Sequence, residues 1–460
     1  MKDWRGQRVL ILGAARQGLA LARYLSKKGA LVTLNDQRTS EQLATARAAA
    51  AHLPIEWVLG EHPLRLLDNA DLVCLSGGIP LTLPIVSEAL RRGLPLTNDT
   101  QIFMEAVPCP VIGITGSAGK TTTTTLVGRM ANAAVKAPRK AWIGGNIGLP
   151  LVDQLDEIRP NDVVVLEISS FQLEQMTISP QVAAVLNITP NHLDRHGTLD
   201  AYTRAKARLL QFQTSQDTCI LNPEDAGSWS LRGMAAGRRI TFSMQHPPLG
   251  QPGTFCMEGY VWLYDGDRDV EILPLSSILL RGTHNLYNAM AACAIAFAAG
   301  FPIEAMRSGI EGFGGVPHRL ELVRTWRGSK WYNDSIATAP ERTAAAIHSF
   351  SEPLVLLLGG RDKNLPWDDL AELVRQRVDH LILFGEAASL IQKAVGPVEL
   401  GRRPYSLEIC SDLHEAVQAA AQVSQPGDVV LLSPGGTSYD QFKDFEERGE
   451  CFRRWVNQLP

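Results

Sequence analysis

Short apolar runs alternate with helix-compatible stretches along most of this chain. Each run is rich in Val, Ile or Leu and is apolar at successive positions, so a strand formed by it would be buried on both faces. The runs lie at Val9–Leu12, Leu31–Asn35, Leu72–Leu75, Val111–Thr115, Val163–Leu166, Val182–Ile188, Leu354–Leu358, His380–Phe384 and Val429–Leu432. This alternation predicts an α/β fold built on parallel sheets.

Two segments rich in proline and glycine interrupt the alternation. They read AVPCP at 106–110 and GFGGVP at 312–317, and such clusters mark chain boundaries. They predict three domains, 1–108, 109–314 and 315–460, which agrees with about 150 residues per domain. An irregular stretch at about 213–280 contains the alternating pattern Tyr260–Tyr264 and predicts added antiparallel strands on the central domain.

Charge and composition exclude several classes of protein. The chain has 44 Lys plus Arg against 48 Asp plus Glu, a net charge of −4, and this balance gives no general attraction to nucleic acid or anionic membranes. The first residues lack an apolar signal segment, and Ala289–Phe301 is too short to cross a bilayer. Seven scattered cysteines without CxxC pairs fit reduced thiols. We expect a cytoplasmic protein without membrane insertion or nucleic-acid binding.

The strongest motif is the strand and glycine-rich turn VIGITGSAGKTT at 111–122. Backbone N–H groups of such a turn close around phosphate oxygens, while Lys120 would reach the terminal phosphates and Thr121 would bind Mg²⁺. Ile114 stands where the strict pattern GxxxxGK[ST] has its first glycine. An ordinary strand-to-helix turn is the alternative. The turn residues predicted to contact ATP are Gly116, Ser117, Ala118, Gly119, Lys120, Thr121 and Thr122.

Polar side chains follow two further apolar runs of the central domain. Glu167 ends the run at 163–166, and Asn191, His192 and Asp194 follow the run at 182–188. The carboxyl ends of parallel strands meet at one edge of a sheet, where ligands bind. Glu167 is therefore a candidate Mg²⁺ ligand, with a solvated strand end as its alternative. A lone histidine such as His192 is more often structural than a ligand, but three strand ends that converge on one nucleotide favour a ligand. Lys206, on the helix at 201–208, fits a surface or a phosphate-facing lysine.

The amino terminus partly matches a dinucleotide-binding turn. Gly13 follows the first apolar run and Asp36 ends the second, but Ala15 replaces the middle glycine that lets the backbone approach a pyrophosphate. A second glycine turn, SGGIP at 76–80, follows another strand of the same domain. A nucleotide pyrophosphate could still bind across the two turns, whereas Ala15 argues against NAD binding.

The ordered set of motifs resembles the Mur ligase family over essentially the whole chain, and most closely the branch that adds glutamate to UDP-N-acetylmuramoyl-L-alanine. LEISSFQLE and SYDQFKDF point to that branch. The other motifs that carry the resemblance are ITGSAGKTTT, GGNIG at 144–148, NITPNHLDRH, Tyr202–Lys206, RGTHNLYN at 281–288, VPHR at 316–319, NDS at 333–335, LGGRDK at 358–363 and LSPGGT at 432–437.

The resemblance implies Rossmann-like first and third domains around a central domain of the P-loop ATPase type. It implies that the first domain binds the UDP part of the substrate, that the central domain binds ATP with two Mg²⁺ ions, and that the enzyme is a monomer. The matching UDP-substrate positions are Gly13, Gln17, Asp36, Arg38, Ser76, Gly77 and the peptide-side Asn146. Gln17 stands where a threonine is usual, which leaves the uracil contacts open.

The resemblance also implies roles around the nucleotide. Thr121 and Glu167 match ligands of one Mg²⁺, and His192 matches a ligand of the second. The lysine matching Lys206 is carbamylated in the family, so CO₂ would turn a cation into a carboxylate for that second ion. Further matches are Asn285 and Asn288 on the adenine side, and Arg319 and Asp334, which reach the nucleotide from the third domain.

The third domain matches the pocket for the incoming glutamate at Thr338, Lys363, Ser438 and Phe445. Where many relatives have a lysine after NDS, this chain has Ile336, and Ala339 follows where asparagine is common. The loss of a cation beside the pocket leaves D- versus L-glutamate open. The resemblance therefore predicts an ATP-dependent acid–amino-acid ligase of peptidoglycan precursor synthesis.

Three other functions stay open on the sequence. A ligase of the same superfamily with another amino acid, such as a folylpolyglutamate synthase-like enzyme, would carry the same central motifs. An NAD-dependent oxidoreductase would use the first domain, although no hydride-transfer base is evident. A non-catalytic P-loop switch would not need Glu167, His192 and Lys206.

Overall fold

The computed structural model describes residues 2–148 and 150–460, without the side chain of Asp194. Over these residues the strands form three sheets of five, nine and six strands. Each sheet is covered by helices, so the protein has an α/β fold with three domains, as the apolar runs predict.

The first sheet lies at the amino terminus and is parallel in the order β3-β2-β1-β4-β5. The chain reverses its direction of winding between β1 and β4, and ligands of such folds bind at this point of the sheet. The elements are β1 (Arg8–Leu12), α1 (Arg16–Lys27), β2 (Leu31–Asp36), α2 (Ala44–Ala49), β3 (Ile55–Leu59), β4 (Leu72–Leu75), α3 (Pro84–Arg91), β5 (Leu96–Thr97) and α4 (Asp99–Ala106).

The central sheet has the order β14-β13-β12-β11-β10-β9-β6-β8-β7. Its elements are β6 (Val111–Thr115), α5 (Lys120–Ala134), β7 (Ala141–Gly145), β8 (Val163–Glu167), α6 (Ser170–Leu173), β9 (Val182–Val185), α7 (Leu193–His196), α8 (Leu199–Gln211), β10 (Thr218–Leu221), α9 (Ala226–Ser230), β11 (Arg238–Phe242), β12 (Gly253–Met257), β13 (Tyr260–Tyr264), β14 (Asp269–Pro274), α10 (Thr283–Ala298) and α11 (Ile303–Ile310). Strands β12 to β14 pair antiparallel, which confirms the predicted added strands. Strands β9 and β8 flank β6, so three strand ends meet beside the glycine-rich turn.

One predicted strand is too long. The apolar run continues to Ile188, but β9 ends at Val185. Beyond it, Ile188 N donates to Asp225 Oδ1 over 3.0 Å and the side chain of Asn187 bonds to Ala118. Backbone bonds to Thr115 and Ser117 continue at Leu186 and Asn187. Side-chain partners are added to them because the chain turns here toward the glycine-rich loop.

The third sheet has the order β15-β16-β20-β17-β18-β19. Strand β15 is antiparallel to β16, and the other pairs are parallel. The sheet is therefore mixed, and its antiparallel edge was not predicted. The elements are β15 (Glu321–Trp326), β16 (Ser329–Asn333), α12 (Pro340–Ile347), β17 (Leu354–Gly359), α13 (Asp368–Arg377), β18 (His380–Phe384), α14 (Ala388–Val395), β19 (Ser406–Cys410), α15 (Leu413–Val423), β20 (Val429–Gly435) and α16 (Phe445–Gln458).

The chain divides into two compact units by its contacts. The residues up to Ile278, together with Thr283–Glu311, form one unit, and Leu279–Gly282 with Gly312–Pro460 form the other. Within the first unit, one apolar cluster contains residues of the amino-terminal and central sheets, for example Ile11 of β1 and Val164 of β8. The two sheets therefore share a core. The domain limits 1–108, 109–314 and 315–460 stay a prediction.

The four-residue segment Leu279–Gly282 belongs to the second unit, and the side chain of Arg281 binds it there. Arg281 Nη2 lies 2.6 Å from Glu352 Oε1, and Arg281 Nε donates to the Tyr332 hydroxyl over 2.8 Å. The guanidinium also lies 5.1 Å from the ring centroid of Phe350. Arg281 thus fixes this segment on the start of the third domain.

Helix α4 connects the first sheet to the segment after β8 through buried polar groups. Asn98 caps the helix and donates to Gln172 O over 2.7 Å, and Gln172 Nε2 donates to Thr100 Oγ1 over 2.7 Å. Asp99 lies between them with 7% of its surface exposed, and its Oδ1 atom has no hydrogen-bond partner. Burial raises the pKa of Asp99 to about 6, although backbone N–H groups act in the opposite direction.

Replacing Asp99 by asparagine is expected to stabilise the protein at neutral pH. The folded-state pKa of about 6 lies above the usual 3.8, so the ionised carboxylate costs stability above pH 6, and this cost disappears as the pH falls toward 4. We expect D99N to gain roughly 2 kcal/mol at pH 7.5 and much less near pH 4.5. Thermal unfolding at both pH values measures this, with D267N at an exposed aspartate as the control. A lower melting temperature for D99N at pH 7.5 would contradict it.

Candidate active site at the carboxyl edge of the central sheet

The glycine-rich turn after β6 is fixed by the residues that follow β9. Ser117 N donates to Asn187 O over 3.0 Å, and Ala118 N donates to Asn187 Oδ1 over 2.8 Å. Asn187 Nδ2 returns a bond to Ala118 O, and Ser117 Oγ donates to Thr189 O over 2.9 Å. The sequence reasoning gave Asn187 no role of its own. Asn187 was missed because it lies inside the run 182–188, which was predicted to be a buried strand.

Gly119 adopts a backbone conformation that favours glycine. It precedes α5 with a φ of +81°, and a Cβ atom at this position would lie 2.1 Å from Asn288 Oδ1. Both the positive φ and the close approach of Asn288 exclude a side chain. This turn therefore brings the start of α5 against α10.

Lys120 lies over the turn that precedes it. Its Nζ donates to Gly116 O over 2.8 Å and to Ser117 O over 3.3 Å. Thr121 and Thr122 follow in the first turn of α5. A cation, a hydroxyl and a helix amino terminus converge here, which is the arrangement that holds phosphate oxygens.

Glu167 ends β8 directly beside β6, where it pairs with Ile114. Its side chain is buried, with 2% of the residue surface exposed, and Asn146 Nδ2 donates to its Oε1 over 3.1 Å. Its Oε2 atom is buried without a hydrogen-bond partner. A buried carboxylate oxygen of this kind is costly unless a cation binds it, so Glu167 fits its predicted role as an Mg²⁺ ligand.

Lys206 projects from α8 into the same place. It is 1% exposed, and its Nζ donates to Gly116 O over 2.9 Å and lies 3.4 Å from Thr115 Oγ1. Burial lowers the pKa of Lys206 to about 6; the charge of Lys120 adds to this and Glu167 opposes it. The two lysines and the glutamate are therefore close enough to interact electrostatically. The sequence alone could not distinguish this buried position from a surface lysine.

His192 lies in the exposed loop after β9. It has a φ of +52°, and its N–H donates to Asn191 Oδ1 over 2.9 Å. Its ring meets the edge of Phe171, with centroids 5.2 Å apart. Phe171 lies four residues after Glu167, so the loop is placed beside the β8 end of the site. The side chain of Asp194 lies outside the described part of the chain.

A cavity of about 330 Å³ opens beside the glycine-rich turn. The predicted adenine-side Asn288 lines it and donates from Nδ2 to Asn285 Oδ1 over 3.0 Å. Glu224 and Tyr287 also line it, and the Tyr287 hydroxyl donates to Glu224 Oε2 over 2.8 Å. Neither residue was predicted as a site residue. Tyr287 lies between the predicted Asn285 and Asn288 in the motif at 281–288, whereas the sequence pattern gives no signal that Glu224 of the insert returns to the turn.

The predicted UDP-substrate residues of the first domain lie together at the β1 and β4 ends. Ala14 N donates to Asp36 Oδ2 over 2.7 Å, and the Arg38 guanidinium donates to both Asp36 oxygens. Burial alone would raise the pKa of Asp36, but these hydrogen bonds outweigh it and lower the pKa to about 2. A Cβ atom at Gly13 would lie 2.8 Å from Ser76 Cβ. The two predicted turns are therefore neighbours.

Gln17 and Asn146 complete the predicted set of substrate residues. A Cβ atom at Gly77 would lie 3.0 Å from Gln17 Oε1, so Gln17 lies against the second turn. Asn146 instead contacts Glu167 in the central domain. Arg16 Nη1 donates to Gly148 O over 2.9 Å and links the first domain to the loop that carries Asn146.

In the second unit, Asp334 is buried at the end of β16. It accepts hydrogen bonds from Ser433 Oγ over 2.8 Å and from Leu320 N over 3.2 Å. Burial raises the pKa of Asp334 to about 7, although these bonds and the charge of exposed Arg319 act in the opposite direction. Arg319 and Asp334 are thus near each other, and their contact with the nucleotide stays a prediction.

The structure joins two of the four residues predicted for the amino-acid pocket by a direct bond. Lys363 Nζ donates to Thr338 Oγ1 over 3.2 Å. Phe445 O accepts a bond from Ser335 Oγ over 2.8 Å at the start of α16, and Ser438 is buried with 2% exposure.

Arg448 lies beneath Ser335 and was missed by the sequence reasoning. Its Nε donates to Ser335 Oγ over 3.0 Å and its Nη2 to Ser335 O over 2.9 Å, while Nη1 donates to Gly436 O over 3.2 Å. The side chain is fully buried, and burial lowers its pKa to about 10. It fixes the segments that carry Ser438 and Phe445.

Comparisons with known proteins match the whole chain. Family models match residues 7–98 as "Mur ligase MurD-like, N-terminal domain", 114–296 as "Mur ligase middle domain" and 318–436 as "Mur ligase, glutamate ligase domain". A UDP-N-acetylmuramoylalanine–D-glutamate ligase of Symbiobacterium thermophilum is 41% identical over 453 residues, 98% of each chain. The chain belongs to the Mur ligase family. An Anaeromyxobacter dehalogenans protein of the same name is 40% identical over 99% of this chain and 98% of its own.

Solved structures of Mur ligases share the fold. MurC, the UDP-N-acetylmuramate-alanine ligase of Thermotoga maritima, aligns with a TM-score of 0.57 at 18% identity, over 98% of this chain and 100% of its own. MurF of Acinetobacter baumannii aligns with a TM-score of 0.57 at 19% identity, over 98% of this chain and 93% of its own. Mur ligases catalyse ATP-dependent amide ligation in peptidoglycan precursor synthesis, generally with Mg²⁺, and this enzyme is one of them.

Within 2–148 and 150–460, no group of three or more His, Cys, Asp or Glu side chains could hold a metal ion. The ligands predicted for the two ions, Thr121 and Glu167 for one and His192 with a modified Lys206 for the second, therefore stay a prediction. In the same described ranges, no helix is long and apolar enough to span a bilayer.

Proposed function

We propose that this Mur ligase joins D-glutamate to the L-alanyl carboxylate of UDP-N-acetylmuramoyl-L-alanine, with ATP hydrolysed to ADP and phosphate. The meeting of Lys120, Glu167 and Lys206 at one edge of the central sheet carries the proposal. The MurD-like first domain and the similarity to relatives named as D-glutamate ligases support the choice of substrates. We place the reaction in the cytoplasm, where ATP is available.

The first step activates the carboxylate, because a carboxylate oxygen is a poor leaving group. An oxygen of the L-alanyl carboxylate attacks the γ-phosphorus of ATP, and the bond to the β–γ bridging oxygen breaks to release ADP. The product is an acyl phosphate. Lys120 and the N–H groups at the start of α5 would stabilise the charge on the transferred phosphoryl group. The N–H groups of Ser117 and Ala118 are bound to Asn187 and hold the turn in shape.

The second step forms the amide. The unprotonated amine of glutamate attacks the acyl carbon, the tetrahedral intermediate loses a proton, and the carbon–oxygen bond to phosphate breaks. Lys363 and Thr338 would bind the carboxylates of glutamate as donors in a desolvated pocket. Arg448 would hold the segments of Ser438 and Phe445 in place.

Divalent cations would screen the repulsion between the carboxylate and the triphosphate and polarise the transferred group. Thr121 and the unpartnered oxygen of Glu167 would hold one ion, and His192 and a modified Lys206 the second. The buried Lys206, with its lowered pKa, supports a carbamate: its neutral amine adds to CO₂ and releases one proton, which leaves a carboxylate in place of the cation.

A panel of amino acids tests the proposed substrates. The full-length enzyme is incubated with ATP, Mg²⁺ and UDP-N-acetylmuramoyl-L-alanine, and phosphate release is measured with D-glutamate, L-glutamate, L-lysine, glycine or no amino acid. We expect phosphate release to depend on D-glutamate and to be slow without an amino acid. Turnover with another amino acid would reassign the specificity, and turnover of a folate in place of the UDP substrate would refute the proposal.

A further inference from the structure

A column of four aromatic rings begins at one residue assigned to the second metal ion, His192, and ends beside the other, Lys206. It consists of His192, Phe171, His196 and Tyr202. Phe171 meets His192 edge to face with centroids 5.2 Å apart and stacks on His196 at 5.4 Å and 11°. His196 then contacts Tyr202 at 5.1 Å, and the Nζ of Lys206 lies 4.6 Å from the Tyr202 centroid.

His196 is the most constrained ring of this aromatic column. Its side chain is 1% exposed. Glu174 Oε1 lies 3.1 Å from its Nδ1, and Ser170 Oγ lies 3.0 Å from its Nε2. Both partners are satisfied when Nδ1 donates to Glu174 and Nε2 accepts from the Ser170 hydroxyl. The ring is therefore held on both sides in one orientation.

The partners of His196 come from the segment that begins at Glu167. Ser170 and Phe171 open α6, and Glu174 follows α6 directly, so a single short turn supplies both polar partners and one stacking face. The other face is Tyr202, on the same helix as Lys206 and one turn before it. His196 thus connects the Glu167 strand end, the His192 loop and the Lys206 helix.

We propose that His196 is a positioning residue that sets the spacing between His192 and Lys206 through the aromatic column. The inference rests on the proposed function, because it takes both residues as ligands of one ion. Ligands held by fixed neighbours bind a metal more tightly, and changes to such neighbours typically cost ~10- to 100-fold in affinity. His196 itself does not contact the ion.

The test measures Mn²⁺ binding and steady-state kinetics in the full-length enzyme. Mn²⁺ replaces Mg²⁺, and its binding in the presence of ADP is followed by electron paramagnetic resonance. For H196Q, which keeps polar atoms but removes the ring, we expect one Mn²⁺ to bind about 10-fold more weakly and the KM for Mg²⁺ to rise by a similar factor. The KM for the UDP substrate is expected to change by less than about twofold.

A conservative variant and a matched control separate positioning from packing. H196F retains a ring in the column and is expected to recover Mn²⁺ affinity to within about threefold of the wild type. His246 also pairs with a carboxylate, Asp269, at 3.0 Å and lies between the rings of Phe255 and Tyr264. H246Q therefore controls for loss of a paired, stacked histidine outside the site, and wild-type binding is expected.

Three results would overturn the inference: wild-type Mn²⁺ affinity in H196Q, equal losses in H196Q and H196F, or equal rises in the KM for Mg²⁺ and for the UDP substrate. If H196Q does not fold, S170A takes its place, because it removes one bond and leaves the ring. S170A is expected to weaken Mn²⁺ binding about threefold, and unchanged binding would count against the proposal. Failure of the wild type to ligate glutamate would instead refute the proposed function.

Discussion

Replacing Lys206 by alanine is expected to lower kcat by at least about 10³-fold, equivalent to ~4 kcal/mol in the activation barrier. The wild-type Nζ is buried within 2.9 Å of Gly116 O, beside Lys120 and Glu167. K206A removes the amine that would form the carbamate. The second metal ion then lacks a ligand, and the repulsion between the carboxylate and the triphosphate is screened less. Binding of the UDP substrate, measured by calorimetry, is expected to change little, since we assign that site to the first domain.

If Lys206 acts as a carbamate, a small carboxylic acid should partly restore the activity of K206A. Acetate or propionate can enter the space of the missing side chain and restore a carboxylate, so activity of K206A is expected to rise about 10-fold or more with added acid. K393A, at an exposed lysine of α14, controls for a general effect of the acids and should show none. Full activity of K206A without acid would remove the carbamate from the mechanism.

Lys120→Ala is expected to abolish turnover to a similar extent, about 10³-fold or more in kcat, for a different reason. Lys120 is the cation of the phosphate-binding turn, and its Nζ already lies over the carbonyl oxygens of Gly116 and Ser117. Its loss removes charge stabilisation where the γ-phosphoryl group is transferred. The KM for glutamate should hardly change, because the residues that we propose for the glutamate pocket belong to the second compact unit.

Phosphate release and UDP-substrate binding, measured in parallel, check this second prediction. K140A removes an exposed lysine of the same unit and should match the wild type. If K120A lost UDP-substrate binding together with turnover, the assignment of the two ligands to separate domains would be wrong.

The sequence was sufficient for the features that depend on local pattern. Apolar runs located the strands at Leu72–Leu75, Val111–Thr115 and His380–Phe384 without error, because strands buried on both faces are apolar at most positions. The glycine-rich turn and the polar strand end at Glu167 were likewise visible, since the carboxyl edge of a parallel sheet collects such groups.

Features that depend on distant contacts could not be predicted in this way. Strand β3 at Ile55–Leu59 is only partly buried and has charged and polar neighbours, so its apolar pattern is weak. The burial of Lys206 and Arg448 depends on which strands and loops cover their helices, which spacing along one helix does not reveal. The partners of His196 come from a separate segment, so its two bonds appear only in three dimensions.

The segment Leu279–Gly282, which belongs to the second unit although both neighbouring segments belong to the first, limits how this protein can be divided into fragments. A fragment beginning at Gly312 would contain every strand of the third sheet but would lack the guanidinium that pairs with Glu352 and Tyr332. The carboxyl-terminal unit is therefore discontinuous in sequence. Cutting the chain at the glycine-rich segment 312–317 would remove the partner of Glu352 and uncover part of the Phe350 ring. A fragment that is to fold on its own therefore also needs residues 279–282.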